Sequence, residues 1–282
     1  MQQLIFLSKK LFFFVIIYTL FSFQEKKIQW VALGDSITYL NDHQQETGNR
    51  ITKGYMTMVN EQLPNVSFVN QGHNGWTVLR IAEEIDKLGI TKADMYSVFL
   101  GTNDWWRGNK LGDWNDYLQS TGTQTVMGAY RVIIDKIKTL NPKAKVILIT
   151  PMQRVDFVYI LNYKNNALGS YQAKNGQSLK SFADAIKRIA AHEGYRLVDL
   201  YHSRKLSHPH LVKFKRLKDP QTNTYKNYAY PDFIGKPFDP EKDEYPYPEA
   251  SVDMTFDGLH PSDEGYKVIT KMLVKEIRSL FP

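Results

Sequence analysis

Three side chains in two short segments of this sequence have the types needed for nucleophilic catalysis. Ser36 directly follows the apolar segment IQWVALGD, and His260 lies in the segment DGLHP near the C-terminus. His260 could act as general base for the serine hydroxyl, and Asp257 could accept a hydrogen bond from the other imidazole nitrogen. Such triads are defined by geometry, so any chain order is workable. The alternatives are an ordinary turn at Ser36 and a helix-capping role for Asp257.

Two further segments carry donors that could stabilise an oxyanion. Asn103 lies in FLGTND, where its side-chain amide could point at developing negative charge, and NQGHNG contains Gly72 and Gly75, whose backbone N–H groups could do the same. Each segment alone is also compatible with a turn. The neighbouring Asp104 is expected to hold its loop through backbone contacts.

Apolar segments alternate with amphipathic ones along the chain, which predicts a parallel sheet covered by helices on both faces. Sites in such sheets lie beyond the carboxyl ends of the strands, where Ser36 and Asn103 fall. The predicted strands are 28–34, 66–72, 95–101, 145–150 and 195–200. The predicted helices are 54–63, 77–88, 124–140, 178–194 and 262–280, with Ser262 as N-cap of the last and Gly194 at the end of the fourth.

Together, GDS, NQGHNG, GTND and DGLH resemble the four motif blocks of the GDSL, or SGNH, hydrolase family, in order, over residues 28 to about 280. The resemblance implies a three-layer α/β/α sandwich with a flavodoxin-like parallel sheet, and a serine esterase that needs no cofactor. It implies Ser36 as nucleophile, His260 as base and Asp257 as its orienting partner. The Ser36 N–H, a glycine N–H and the Asn103 amide would form the oxyanion hole. Family spacing favours Gly75 over Gly72.

Trp105 and Trp106 directly follow the GTND block and are predicted to contact the substrate. Within the family, substrates range from acetylated polysaccharides to lipids and small esters. Aromatic residues near the site favour short acyl groups on a carbohydrate. A lipase or lysophospholipase is one alternative, and a non-catalytic carbohydrate-binding protein on the same fold is another.

The amino-acid composition excludes several classes of site and binding partner. The chain has 282 residues, a net charge of +7 and no cysteine, which excludes disulfides, thiolate metal sites and a cysteine nucleophile. Its basic residues are scattered rather than striped, so no nucleic-acid partner is expected, and no metal site is predicted. The predicted partner is a small-molecule or polysaccharide ester.

The N-terminus predicts export. Lys9 and Lys10 precede the apolar segment LFFFVIIYTLFSF (11–23), which is typical of a secretory signal. Residues 1–24 are therefore predicted to be a signal peptide, and 25–282 the hydrolase domain of a secreted or periplasmic protein. An uncleaved segment that anchors the chain to the membrane is the alternative.

One stretch, 201–253, interrupts the alternation with many prolines and tyrosines and little periodicity. A segment of this length without regular structure is unusual in a compact domain. The stretch ends just before Asp257 and His260 in the sequence. We therefore expect an ordered, irregular excursion that forms a rigid wall on one side of the site and limits the acyl group to a short one.

Overall fold

The computed structural model describes residues 26–282, so the predicted signal peptide lies outside the described residues. Five parallel strands form the central sheet in the order β2-β1-β3-β4-β7, which is the flavodoxin-like order with β7 as its last strand. The strands of this sheet are β1 (Ile28–Gly34), β2 (Val66–Gly72), β3 (Met95–Phe99), β4 (Lys145–Ile149) and β7 (Arg196–Val198). The predicted α/β fold class is confirmed.

Strand β1 explains why the predicted strands are almost uniformly apolar. Its side chains alternate between the two faces of the sheet, and both faces are buried. Trp30 and Ala32 pack into one apolar core, whereas Val31 and Leu33 pack into the other. A parallel sheet covered on both faces has this pattern, because neither side of the strand meets water.

Helices cover both faces of the sheet and complete three layers. Helices α2 and α9 pack together on one face, and α3, α6 and α7 contribute to the apolar core of the other. The helices are α1 (Ser36–Tyr39), α2 (Tyr55–Gln62), α3 (Val78–Glu84), α4 (Thr102–Arg107), α5 (Trp114–Leu118), α6 (Val126–Leu140), α7 (Leu179–Glu193), α8 (His208–Leu211) and α9 (Asp263–Leu280). No helix within residues 26–282 combines the length and apolar character needed to cross a membrane.

The helix ends agree with their sequence signals. The Ser262 side chain accepts from the Gly265 N–H and caps α9, as predicted. Gly194 ends α7 with a φ of +68°, a left-handed conformation that glycine adopts without a Cβ penalty. The prediction missed the short helices α1, α4, α5 and α8, which are too brief to show an apolar period.

Two antiparallel hairpins stand outside the main sheet. The first hairpin joins β5 (Phe157–Tyr159) to β6 (Asn162–Ala167), and the second joins β8 (Lys215–Lys218) to β9 (Tyr225–Tyr228). The stretch 201–253 therefore contains regular structure, including α8 and the second hairpin. Neither hairpin was predicted, since β6, β8 and β9 are rich in lysine and asparagine.

The stretch 201–253 packs against β5. The Lys215 ammonium lies 2.9 Å from an Asp156 carboxylate oxygen, and both side chains are largely buried. The Tyr245 hydroxyl donates to the Val158 carbonyl at 3.1 Å, and the Tyr247 hydroxyl donates to the Asp156 carbonyl. These bonds fix the first hairpin beside the sheet edge.

Candidate active site

The turn after β1 places Ser36 at the start of α1. The Asp35 side chain caps this helix by accepting from the Ile37 N–H at 3.0 Å. Gly34 allows the chain to turn tightly, because a Cβ there would lie only 2.0 Å from the Thr38 hydroxyl oxygen. The result is a serine that is largely buried yet opens onto a cavity.

A continuous chain of hydrogen-bond contacts links Ser36, His260 and Asp257. The Ser36 Oγ lies 2.9 Å from His260 Nε2, and His260 Nδ1 lies 2.7 Å from Asp257 Oδ2. With the Nδ1–H donating to the carboxylate, Nε2 is the free lone pair that faces the hydroxyl. Ser36 and His260 are 224 residues apart in the sequence. This arrangement matches the geometry in which a histidine deprotonates a serine.

Backbone bonds and aromatic rings fix the histidine and its carboxylate. Asp257 is fully buried, and its Oδ1 accepts from the N–H groups of Leu259 and His260 at 3.0 and 2.7 Å. Phe256 stacks on the imidazole and Phe157 meets it edge-on. The alternative that Asp257 caps the final helix is wrong, because Ser262 has that position.

Two of the residues predicted to stabilise an oxyanion line the same cavity as Ser36. Gly75 and Asn103 both line it, and Asn103 also donates to the Trp76 carbonyl at 3.0 Å, which orients its amide. Gly75 has a φ of +73°, which favours glycine. Gly72 lies in β2, and its N–H donates to Asn70 Oδ1 at 2.8 Å. The geometry therefore favours Gly75 over Gly72.

Two buried carboxyl groups support this edge of the sheet without lining the cavity. Asp104 accepts from the Val78 N–H at 2.8 Å and from the Asn109 side chain, as expected for a loop-holding residue. Burial raises the pKa of Asp104 to about 6, and burial likewise raises the pKa of Asp35 to about 6. Both groups bind backbone rather than the reacting atoms.

The cavity has a volume of about 420 Å³ and opens beside Ser36 and His260. Its side opposite the oxyanion donors comes from the first hairpin and the segment before it, not from the stretch 201–253. The expectation that 201–253 forms the wall is therefore wrong, since that stretch packs behind the hairpin. The lining residues are Ser36, Asn74, Gly75, Asn103, Trp106, Arg107, Arg154, Phe157, Asn165, Ala167, Leu259 and His260.

The two tryptophans after Asn103 lie in different surroundings. Trp106 is half-buried and lines the cavity. Trp105 is 1% exposed, packs in the core, and donates its indole N–H to the Gln177 carbonyl at 3.0 Å. The prediction that Trp105 contacts substrate is corrected accordingly, because consecutive residues of α4 point in directions about 100° apart.

Several lining residues were missed by sequence reasoning. Arg154, Phe157 and Asn165 all lie between Pro151 and α7, a region for which no regular pattern was recognised. One available signal was the position of Arg154 four residues after the predicted strand 145–150, near the carboxyl edge of the sheet, where functional groups collect. Within residues 26–282, no cluster of three or more metal-ligating side chains is present.

Comparisons with known proteins agree with this fold. A family described as "GDSL-like Lipase/Acylhydrolase family" matches this chain over residues 32–268. A crystal structure described as a possible lipase from Chitinophaga pinensis DSM 2588 is 58% identical, with a TM-score of 0.89 over 90% of this chain and 98% of that one. No curated protein matches the chain.

More distant structures share the fold at low identity. The acetyl xylan esterase AlAXEase is 18% identical, with a TM-score of 0.52 over 89% of this chain and all of that one. A catalytic mutant of Axe2, an acetylxylan esterase from Geobacillus stearothermophilus, is also 18% identical, with a TM-score of 0.52 over 90% and 95% of the two chains. The family match spans most of the sequence, and the chain belongs to the GDSL-like lipase/acylhydrolase family as a serine ester hydrolase.

Proposed function

We propose that this hydrolase removes short acyl groups from carbohydrate esters by a Ser-His-Asp mechanism with an acyl-enzyme intermediate. The observation that carries the mechanism is the contact chain from Ser36 through His260 to Asp257, with Nε2 2.9 Å from the serine oxygen. The oxyanion donors Gly75 and Asn103 face the same cavity.

In the first half-reaction, the Ser36 oxygen attacks the acyl carbonyl while His260 Nε2 takes the hydroxyl proton. The carbonyl oxygen becomes an oxyanion, which the N–H groups of Ser36 and Gly75 and the Asn103 amide stabilise. One such donor typically contributes about 3–4 kcal/mol to the transition state. Asp257 holds the imidazole and stabilises its positive charge. His260 then protonates the leaving alcohol as the ester bond breaks.

In the second half-reaction, water replaces the alcohol. His260 takes a proton from the water, and the resulting oxygen nucleophile attacks the acyl carbon. The bond to Ser36 breaks, the serine oxygen recovers its proton from His260, and the carboxylic acid leaves. The enzyme returns to its starting protonation state without any cofactor.

The lining of the cavity supports a short acyl group and a polar alcohol. Phe157, Leu259 and Ala167 form a compact apolar cluster beside His260. The other lining side chains include Asn74 and Asn165, which can bond to hydroxyl groups. An apolar surface that continues for many carbons is what a long-chain lipase needs, because each buried methylene contributes about 0.8 kcal/mol.

A panel of p-nitrophenyl esters from acetyl to octanoyl, run beside acetylated xylan, tests this substrate class. We expect kcat/KM to fall once the acyl chain exceeds about four carbons, and acetate to be released from the polymer. A steady rise of kcat/KM from acetyl to octanoyl would overturn the proposal. It would favour a lipase, the second candidate, which the description of the 58% identical relative as a possible lipase supports.

The nucleophile is tested with a fluorophosphonate probe. Wild-type protein should be labelled and should hydrolyse p-nitrophenyl acetate, whereas Ser36→Ala should do neither and should keep its fold. Ser170 lies 2.8 Å from His208 and is a second serine–histidine contact, so Ser170→Ala is the matched control and should still be labelled. Substantial turnover by folded Ser36→Ala would refute the mechanism, and a wild type that neither reacts nor turns over would indicate a non-catalytic carbohydrate-binding protein.

We also propose that the protein is exported by its N-terminal segment. The support is the sequence pattern of Lys9 and Lys10 before the apolar residues 11–23. Expression of the full chain followed by cell fractionation tests this. Export predicts activity outside the cytoplasm, and N-terminal sequencing separates a cleaved signal from a retained anchor. Activity that stays in the cytoplasmic fraction contradicts the proposal.

A further inference from the structure

Arg154 is a buried cation that lines the catalytic cavity without an acceptor for part of its guanidinium. Only 1% of the residue is exposed, and neither Nε nor Nη2 has a hydrogen-bond partner within residues 26–282. A buried polar group that forms no hydrogen bond is costly, and a charged one more so. Since Arg154 lies at the cavity wall, a bound group can supply the missing acceptor.

The nearest carboxylates are already engaged by other partners. Asp257 binds His260 and two backbone N–H groups, and Asp156 accepts from the Lys215 ammonium, the Tyr171 hydroxyl and the Gly169 N–H. Both acids act on Arg154 through space, and neither forms an ion pair with it. The negative charges of these two aspartates therefore stabilise the charged guanidinium, but neither aspartate contacts it directly.

Aromatic contacts hold the Arg154 side chain at the wall. Its guanidinium carbon lies 5.6 Å from the ring centre of Trp105 and 5.2 Å from that of Trp106. Burial lowers the pKa of Arg154 to about 10, so the side chain stays cationic at neutral pH. Cation–π contacts steady a guanidinium but leave its in-plane N–H donors free for an acceptor.

A second cationic side chain lines the cavity. Arg107 is a second guanidinium in the lining, and no aspartate or glutamate is among the lining residues. Arg107 donates to the Gly75 carbonyl at 3.0 Å, so one edge of it is occupied while the side chain remains exposed. A cavity with two guanidiniums and no carboxylate in its lining favours a substrate with negative charge.

We propose that Arg154 is a substrate-binding residue that pairs with a carboxylate on the ester, so that the preferred substrates are anionic esters. This inference rests on the proposed hydrolase activity and deepens it. A carboxylate accepts charge-assisted hydrogen bonds from a guanidinium, and Arg154 forms no ion pair with Asp156 or Asp257. The carboxylate can belong to an acidic sugar on the alcohol side or to a dicarboxylic acyl group.

Two matched substrate pairs separate these sources. On the alcohol side, an acetylated methyl glucuronoside is compared with the acetylated methyl glucoside. On the acyl side, benzyl hydrogen succinate is compared with benzyl levulinate, a neutral ester of similar shape. We expect wild-type kcat/KM to favour the anionic member of at least one pair by tenfold or more. Equal kcat/KM values within both pairs would overturn the inference.

Variants then assign the preference to Arg154. Arg154→Met should reduce the preference to twofold or less, while Arg188→Met should keep it. Arg188 is a suitable control because it is an exposed arginine that also lies over a tryptophan, Trp114, at 4.1 Å. If Arg154→Met does not fold, Arg154→Gln replaces it and should likewise reduce the preference to twofold or less, because a glutamine side chain carries no positive charge. A preference that survives in the folded Arg154 variant overturns the assignment.

Hydrolysis of neutral p-nitrophenyl acetate distinguishes a failure of the proposed esterase function from a failure of the proposed role of Arg154. If wild type does not cleave this ester or any member of the pairs, the proposed function itself fails. If wild type cleaves neutral esters through Ser36 without preferring an anionic one, only the role of Arg154 fails.

Discussion

The catalytic cavity has two sides that are built in different ways. One side is the carboxyl edge of the main sheet, where Ser36 and Asn103 follow the adjacent strands β1 and β3. The other side is the first hairpin, which the stretch 201–253 holds in place from behind. The sheet edge presents reactive groups, whereas the hairpin and the segment before it supply shape and the buried cation Arg154.

Each side contains a buried aspartate, and the two sides differ in the residue that this aspartate contacts. Asp257 contacts His260, which carries the serine proton in the proposed mechanism. Asp156 contacts the buried Lys215 ammonium at 2.9 Å. One carboxylate therefore supports chemistry, and the other supports the position of a wall. Substitutions on the sheet side should mainly lower the rate of hydrolysis, whereas substitutions on the hairpin side should mainly lower the stability of the fold.

The largest effect is expected for His260→Ala, which removes the proton carrier. We expect kcat for p-nitrophenyl acetate to fall by about 10⁴- to 10⁶-fold, because triad members act as a unit. Asp257→Ala should retain roughly 10- to 100-fold more activity than His260→Ala. Steady-state kinetics and thermal unfolding of both variants check this, and wild-type activity in Asp257→Ala would reduce Asp257 to a structural residue.

Next comes Lys215→Met on the hairpin side, which should reduce stability more than rate. Leaving the buried Asp156 carboxylate without its ion-pair partner should lower the free energy of unfolding by about 3–5 kcal/mol. Lys218→Met is the matched control, because the Lys218–Asp243 pair is more exposed and its loss should reduce stability much less. Urea unfolding measures both, and equal losses in the two variants would contradict the separation of roles.

Asn103→Ala tests the oxyanion donor on the sheet side. We expect kcat to fall by roughly 100- to 1,000-fold with little change in KM, since the amide acts mainly on the transition state. An effect confined to KM would instead indicate that Asn103 binds the ground-state substrate. Circular dichroism of the variant excludes a loss of fold, which is a concern because Asn103 also binds the Trp76 carbonyl.

The smallest effect is expected for Tyr245→Phe, which removes one hydroxyl that holds the hairpin. Loss of its bond to the Val158 carbonyl should cost about 1 kcal/mol of unfolding free energy. The kcat of the folded variant should stay close to wild type, because neither residue lines the cavity. A tenfold or larger fall in kcat would show that the sheet edge depends on the hairpin for its geometry.

The sheet side was predictable from sequence because its signals are local. Strands β1 and β2 match their predicted limits, and Ser36 and Asn103 follow apolar segments that could only be buried strands. The hairpin side was not predictable. Its strands are short and polar, and their positions depend on tertiary bonds such as Lys215 to Asp156. Trp105 illustrates the same limit, because its burial depends on the rotation of a helix only six residues long.

The distance along the chain between Ser36 and His260 has a consequence for the timing of activity. Helix α9 follows His260 directly, and its Tyr266 donates to the Ile37 carbonyl beside the nucleophile at 2.9 Å. Ser36 is synthesised 224 residues before His260. A growing chain therefore carries the proposed nucleophile without the proposed base until the segment of His260 and α9 leaves the ribosome and docks. Under the proposed mechanism, hydrolysis begins only when this segment has docked beside α1, so ester turnover should report the folding of both parts of the site.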